Sequence, residues 1–340
     1  MAKISYHKER DIINQEKLSE LLTQLPDYVP DFFIAIENNS STLTRLNYGY
    51  DLRLFFEYLA EKLNKNIMDI TLEELNEIKA RDVERFLSHI SYYEKDGKVF
   101  VNKERGKARK LSALRSFFKF LFNADLISSN VITKISTPKI HQKEIIRLEV
   151  DEVVKLLNQA ENPTNLTKRE QGYNKITKDR DLAIMSVFLG TGIRISELVG
   201  LNIDDIDFNN NSFKIVRKGG NEVVLYFSDE VKEALINWFK VRQEIKTLND
   251  DEKAVFLSLQ RKRITPRAVE NLVKKYSQAV TPLKKISPHK LRSTYGTNLY
   301  RETQDIYIVA DVLGHKDVNT TKKHYAAISA STVCEGSVMR

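Results

Sequence analysis

The sequence predicts a mainly α-helical protein in two domains, the second carrying one small antiparallel sheet. Three observations lead there. The chain has 340 residues, more than the roughly 250–300 at which a single core stops growing. Gly (12) and Pro (7) are scarce, which excludes collagen-like and low-complexity chains and argues against a turn-rich all-β protein. Apolar residues recur at helical spacing along most of the chain and change to short strand-like runs only across 201–227.

The N-terminal third reads as helices. Residues 50–63 place Leu52, Phe55, Phe56, Leu59 and Leu63 on one stripe. Thr71-Leu72-Glu73-Glu74 is a capping box that opens a short helix. Ala80 to Ile90 repeats the spacing with Val83, Phe86, Leu87 and Ile90, and Asp96-Gly97 marks a turn. Between 107 and 121, Leu111, Leu114, Phe117, Phe118 and Leu121 form a dry stripe. Arg109, Lys110, Ser112, Arg115, Ser116 and Lys119 lie mainly off it. A basic, hydroxyl-bearing helix face suits phosphate contacts, and its plainer reading is a solvated surface.

Ser128-Ser129-Asn130 ends the helical pattern, and 131–143, with Thr137-Pro138, reads as an extended linker. The expected domains are 1–130, helical, and 144–340, mostly helical. In the second, a helix spans about 148–159, residues 161–178 read as a polar loop, and 179–190 are helical. Between 201 and 227 the Asn209-Asn210-Asn211 and Gly219-Gly220 turns join short strands. Helices resume at 230–245, 265–280, 288–301, 306–313 and 320–327.

No apolar run approaches the roughly 20 residues of a membrane span, and no apolar signal region stands at the N-terminus. The single cysteine, Cys334, excludes an intramolecular disulfide framework and a Cys-cluster zinc site. A cytoplasmic location is expected by elimination. The formal net charge is +8, but its distribution is more telling. Residues 1–78 hold 8 basic and 14 acidic side chains, 79–119 hold 12 and 5, and 253–325 hold 15 and 5. Two basic blocks far apart in sequence either face solvent separately or share one long anionic ligand.

No glycine loop followed by Lys-Ser/Thr is present, and His289 and His315 lack nearby carboxylates at metal-ligand spacing. Nucleotide and metal chemistry are therefore disfavoured. What remains is a set of cationic and imidazole side chains beside turns and helix ends. Gly190-Thr191-Gly192-Ile193-Arg194 re-aims the chain, with Glu197 three residues on. Pro288-His289-Lys290-Leu291-Arg292 puts His289 and Arg292 on one face. Leu313-Gly314-His315 is followed by His324-Tyr325, and Lys218 sits at the tip of Arg217-Lys218-Gly219-Gly220. Each alone has a plain structural reading, such as a surface Arg–Glu pair or a core histidine.

Together and in this order, Arg194, Lys218, His289-Lys290-Leu291-Arg292, Leu313-Gly314-His315 and Tyr325 resemble the active-site signature of the tyrosine recombinases, or phage integrase family. The helix around Leu111–Phe118 resembles that family's N-terminal core-binding domain. The resemblance covers about residues 40–330, with a Xer-like character. Leu25-Pro26-Asp27-Tyr28-Val29-Pro30-Asp31-Phe32-Phe33 is similar to the single-recombinase type of Gram-positive bacteria. Two departures are visible. Tyr325 lies ten residues after His315 with His324 at the commoner spacing, and Ser293 stands where His is frequent.

The resemblance implies a C-shaped two-domain clamp on double-stranded DNA carrying an inverted-repeat site. It implies a tetramer on two such sites and a bacterial, nucleoid-associated location. It further implies metal- and ATP-independent cutting and rejoining through a 3′-phosphotyrosine, with no cofactor. Chromosome-dimer resolution, with a DNA translocase as a further partner, is the expected role. A mobile-element integrase or excisionase, an inactive DNA-binding protein and a strand-nicking topoisomerase are the alternatives. Tyr325 would be the nucleophile, and Arg194, Arg292 and His315 would hold the phosphate. His289 would be the base, Lys218 the acid and Glu197 a supporting carboxylate. Lys107, Arg109, Lys110, Ser112, Arg115 and Arg217 would contact DNA.

Overall fold

The structure, a computed structural model, describes residues 6–95, 97–140, 146–217, 220–248 and 253–314. The chain divides into two compact units, Met1–Gln142 and Lys143–Arg340.

The first unit is built from helices α1 (Tyr6–Leu22), α2 (Val29–Ala35), α3 (Thr42–Leu63), α4 (Leu72–Glu77), α5 (Ala80–His89) and α6 (Glu104–Asn123). Strands β1 (Tyr92–Lys95) and β2 (Lys98–Val101) form an antiparallel hairpin before α6. The expected capping box opens α4: the Thr71 N–H donates to Glu74 Oε2 (3.0 Å) and the Glu74 N–H to Thr71 Oγ1 (3.4 Å). The apolar stripes of α3, α5 and α6 meet in an aromatic core. Phe32, Phe55, Phe56, Phe86, Phe117 and Phe118 are all at most 1% exposed there, with mostly edge-to-face rings such as Phe55–Phe86 at 5.2 Å. Gly49 lets α3 approach α1, since a Cβ there would lie 2.6 Å from the Leu21 side chain.

The Asp96-Gly97 turn signal falls in sequence between β1 and β2; β1 alternates exposed and half-buried residues and β2 is exposed throughout, so no buried alternation announces the strands. One local expectation is revised in this unit. The segment from 131 begins as a 3₁₀ turn, Val131–Lys134, rather than an extended linker. Ile132 and Ile135 are buried in the N-terminal core.

The second unit contains α7 (Val150–Glu161), α8 (Lys168–Thr191), α9 (Ile195–Gly200), β3 (Ile206–Asp207), β4 (Ser212–Val216), β5 (Glu222–Tyr226), α10 (Asp229–Glu244), α11 (Pro266–Val280), α12 (Pro288–Thr303) and α13 (Ile306–Leu313). The three strands pair antiparallel in the order β3-β4-β5, with Phe213 opposite Leu225. The fold class is thus mainly α with a small antiparallel sheet in the second unit, as expected. Helix α8 is central and packs against α7, α10 and α12.

The polar loop expected at 161–178 is instead largely the first half of α8. Thr167 caps it, its hydroxyl accepting from the Glu170 N–H at 3.3 Å. The inward face of this half is polar: Asn174, Thr177 and Asp181 are buried. The Tyr276 hydroxyl and Thr177 hydroxyl both donate to Asp181 Oδ2 at 2.9 Å, and Arg180 donates to Oδ1 at 2.7 Å. A helix that buries hydrogen-bonded polar groups shows no apolar stripe. The helix expected at 320–327 lies outside the described residues.

Candidate active site

Helix α8 ends at Gly192, whose φ of +61° takes the left-handed region that favours glycine. The chain turns there, and Arg194 becomes the N-cap of α9. Its backbone N–H donates to Glu197 Oε2 and its Nη1 to Glu197 Oε1, both at 2.9 Å. Glu197 is buried, so this carboxylate fixes the guanidinium from below and leaves the half-exposed fork to reach outward. It reaches α13, where Nη2 donates to the carbonyls of Gly314 (2.9 Å) and Leu313 (3.2 Å).

Arg292 comes from α12, which Pro288 opens at its first position. It is 6% exposed and donates to the carbonyls of Gly192 and Leu313. His289 stands one turn earlier on the same helix, exposed in the first turn. Its carbonyl accepts from the Ser293 hydroxyl at 3.0 Å.

Helix α13 ends at Gly314, with φ +60°. The carbonyls of a helix's last turn have no partner within the helix and carry its negative dipole end. Here arginines supply the donors. Besides Arg194 and Arg292, Arg217 at the end of β4 donates through Nη2 to Val312 O (2.7 Å) and through Nη1 to Asp311 O (3.3 Å). Its Nε is buried with no partner among the described residues. Burial lowers the Arg217 pKa, while Glu197 and Asp311 act in the opposite sense.

Arg194, Arg217, Arg292 and Glu197 are therefore brought together, and His289 shares a helix with Arg292. Lys218, His315 and Tyr325 lie outside the described residues. A preorganised cluster of guanidiniums beside a helix end can hold the non-bridging oxygens of a phosphate.

The DNA-contact candidates of α6 divide differently. Lys107 is half-buried and Ser112 exposed. Arg109 forms a two-pronged pair with the buried Asp51, Nη2 lying 2.7 Å from Oδ1. Lys110 is buried, with Nζ donating to Asn102 Oδ1 at 2.8 Å, which removes it from the surface. Arg115 donates to the Ile135 carbonyl (2.6 Å) and the Thr137 hydroxyl (2.7 Å), tying down the segment after α6. Charge on a helical wheel does not distinguish these internal uses from a free basic face. The role of Arg217 at α13 was also not legible, since its acceptors are backbone carbonyls.

Residues 146–332 match the phage integrase family model, and residues 31–125 match the phage integrase N-terminal SAM-like domain. The chain belongs to the phage integrase family. Its relatives include the tyrosine recombinase XerC of Caldanaerobacter subterraneus subsp. tengcongensis, 34% identical over 93% of this chain and 85% of that protein. The tyrosine recombinase XerS of Streptococcus mutans is 31% identical over 90% of this chain and 93% of that protein. By this membership the chain is a tyrosine-type site-specific DNA recombinase. The fold is similar to that of the XerH site-specific recombinase bound to palindromic difH substrate. The TM-score is 0.70 at 19% identity, covering 96% of this chain and 89% of that one. A lambda integrase dimer bound to a COC' core site has a TM-score of 0.61 at 16% identity, covering 87% and 92%.

Proposed function

We propose that this phage integrase family member cuts and rejoins duplex DNA with Tyr325 as nucleophile and Arg194, Arg292 and His315 as the phosphate clamp. The observation that carries this reading is the convergence of Arg194 and Arg292 on the helix end that leads directly into His315. In the reaction, the Tyr325 oxygen bonds to the scissile phosphorus as the bond to the 5′-oxygen breaks. His289 takes the phenolic proton and Lys218 returns one to the departing oxygen, leaving a 3′-phosphotyrosine and a free 5′-hydroxyl. The two arginines and His315 stabilise the extra negative charge of the phosphorane-like transition state. Because the phosphotyrosine conserves the bond, the reverse attack by a 5′-hydroxyl rejoins strands without ATP or a metal.

The substrate in this reading is double-stranded DNA with an inverted-repeat site. Exchange of four strands calls for a tetramer on two sites. In this reading each of the two units contributes its own DNA contacts. Lys107 and Ser112 contact phosphates, and the outer edge of Arg109 joins them. Relatives named as the tyrosine recombinases XerC and XerS favour chromosome-dimer resolution over integration in this reading. A location at the bacterial nucleoid and a DNA translocase as a further partner belong to the same proposal.

Trapping denaturant-resistant protein–DNA adducts from fragmented genomic DNA of the source organism, and sequencing the attached ends, tests the reading. One inverted-repeat locus near the replication terminus is the expected result. Adducts at mobile-element ends would assign the integrase role instead. Adducts at unrelated sequences would favour a topoisomerase-like activity, and their absence would favour a DNA-binding protein without catalysis.

A further inference from the structure

The structure places Arg217 in a setting that a DNA contact does not require. β4 ends at Val216, and the backbone of Arg217 is bonded on both sides. The Arg217 N–H donates to Asn221 O at 2.8 Å and the Gly220 N–H to Arg217 O at 3.0 Å. From this pinned position the guanidinium crosses to α13 and spans two successive carbonyls, Asp311 and Val312. A rigid planar fork can bridge neighbouring carbonyls in a way that a single ammonium cannot. Gly314 is shaped to admit it, since a Cβ there would collide with the Arg217 guanidinium. That glycine is thus required twice, for its φ of +60° and for this contact.

The chain runs directly from Arg217 into Lys218 and from Gly314 into His315. We propose that Arg217 is a positioning residue for strand cleavage: its fork staples the strand end that carries Lys218 to the helix end that carries His315. This rests on the reading of Lys218 as the acid that protonates the departing 5′-oxygen. Without the staple, Arg217 keeps its backbone bonds to Gly220 and Asn221, but the end of β4 is no longer tied to the end of α13. Proton delivery then fails while the grip on phosphate persists.

The test compares two substrates built on the protein's own site, obtained by the adduct trapping above. One has the normal 5′-bridging oxygen, and the other has sulfur there. A thiolate leaves without being protonated, so the sulfur substrate bypasses the acid. Full-length wild type, Arg217→Gln, Arg217→Lys and Lys218→Ala are assayed in single-turnover cleavage, with site affinity measured in parallel.

Arg217→Gln is expected to cleave the oxygen substrate about 100-fold more slowly, the lower end of a lost acid. It should cleave the sulfur substrate at close to the wild-type rate and keep its affinity for the site. Arg217→Lys, which keeps the charge without the fork, should show the same selective defect in smaller degree. It also provides the readout if the glutamine variant does not fold. If Lys218→Ala is rescued by sulfur but the Arg217 variants are slow on both substrates, or lose affinity with a shallower salt dependence, Arg217 is a phosphate contact and the proposal is overturned. If Lys218→Ala is not rescued, the assignment of the acid falls and the proposal falls with it.

Discussion

Arg194 and Arg292 donate to one and the same oxygen, the carbonyl of Leu313. Two cations can share an acceptor because it lies at the negative end of α13 and because buried Glu197 faces Arg194. The shared acceptor holds both forks in register before any substrate arrives, so little reorganisation remains for the reaction step.

This geometry makes Arg194→Lys a sharp probe. The charge is retained, but the paired donors to Glu197 and to α13 are not. Cleavage should fall by about 10²–10³-fold, the effect of removing one preorganised donor set, while affinity for DNA stays within a few-fold. Single-turnover cleavage beside a binding titration measures both, and a loss confined to binding would speak against a role in the transition state.

The buried Asp181 accepts from Thr177, Arg180 and Tyr276, with Lys275 Nζ at 3.3 Å. Asp181→Ala strands these donors and should destabilise the second unit by about 3–5 kcal/mol. Tyr276→Phe should lose about 1–3 kcal/mol by leaving Asn174 and Asp181 each one partner short. Denaturant unfolding reads both, and losses below 1 kcal/mol would mean the network is dispensable.

The sequence exposes apolar stripes and turn chemistry, and it hides polar cores and long-range capping. The α6 stripe of Leu111, Leu114, Phe117, Phe118 and Leu121 is buried as its spacing indicates. The 201–227 strands also follow from alternation between turns. The first half of α8 was hidden because its buried face is polar: Asn174 and Asp181 are satisfied by Tyr276, about 100 positions away, and Thr177 by Asp181. Arg194, Glu197 and Arg292 were recognisable as a set from their order. The internal duties of Arg115, Lys110 and Arg217 depend on carbonyls and amides, groups that every residue carries.

Arg109 gives a test of one such duty. Its partner Asp51 is 2% exposed, and burial raises the Asp51 pKa against the opposing pull of Arg109 and Lys110. Arg109→Ala should therefore destabilise the first unit by about 2 kcal/mol, less than for a fully buried pair because Arg109 is half-exposed. Adding Asp51→Asn should recover part of that loss. Thermal melts of the single and double variants decide, and an unchanged melt with weakened DNA binding would make Arg109 purely a DNA contact.

Asp82 provides a pH-dependent term. Its carboxylate accepts from Lys62 Nζ (2.7 Å) and from the Lys79 N–H (3.0 Å), and the Lys62 bond foremost holds its pKa below the usual value. A carboxyl that titrates lower in the folded chain stabilises it above its unfolded pKa of about 3.9, and this is lost as pH falls through the lowered native value. Asp82→Asn should be less stable than wild type by about 0.5–1 kcal/mol at pH 7. The two should converge as pH falls through the lowered native value of Asp82. Urea midpoints across pH measure this, and a constant gap would contradict it.

Peptide mapping of the covalent adduct reaches the chemistry itself. The full-length chain is incubated with its nicked site, digested with protease, and the DNA-linked peptide is read by mass spectrometry. The expected product joins Tyr325 to a 3′-phosphate, and Tyr325→Phe binds the site without forming it. An adduct that persists in that variant, or that maps to another side chain or a 5′-phosphate, would contradict the account.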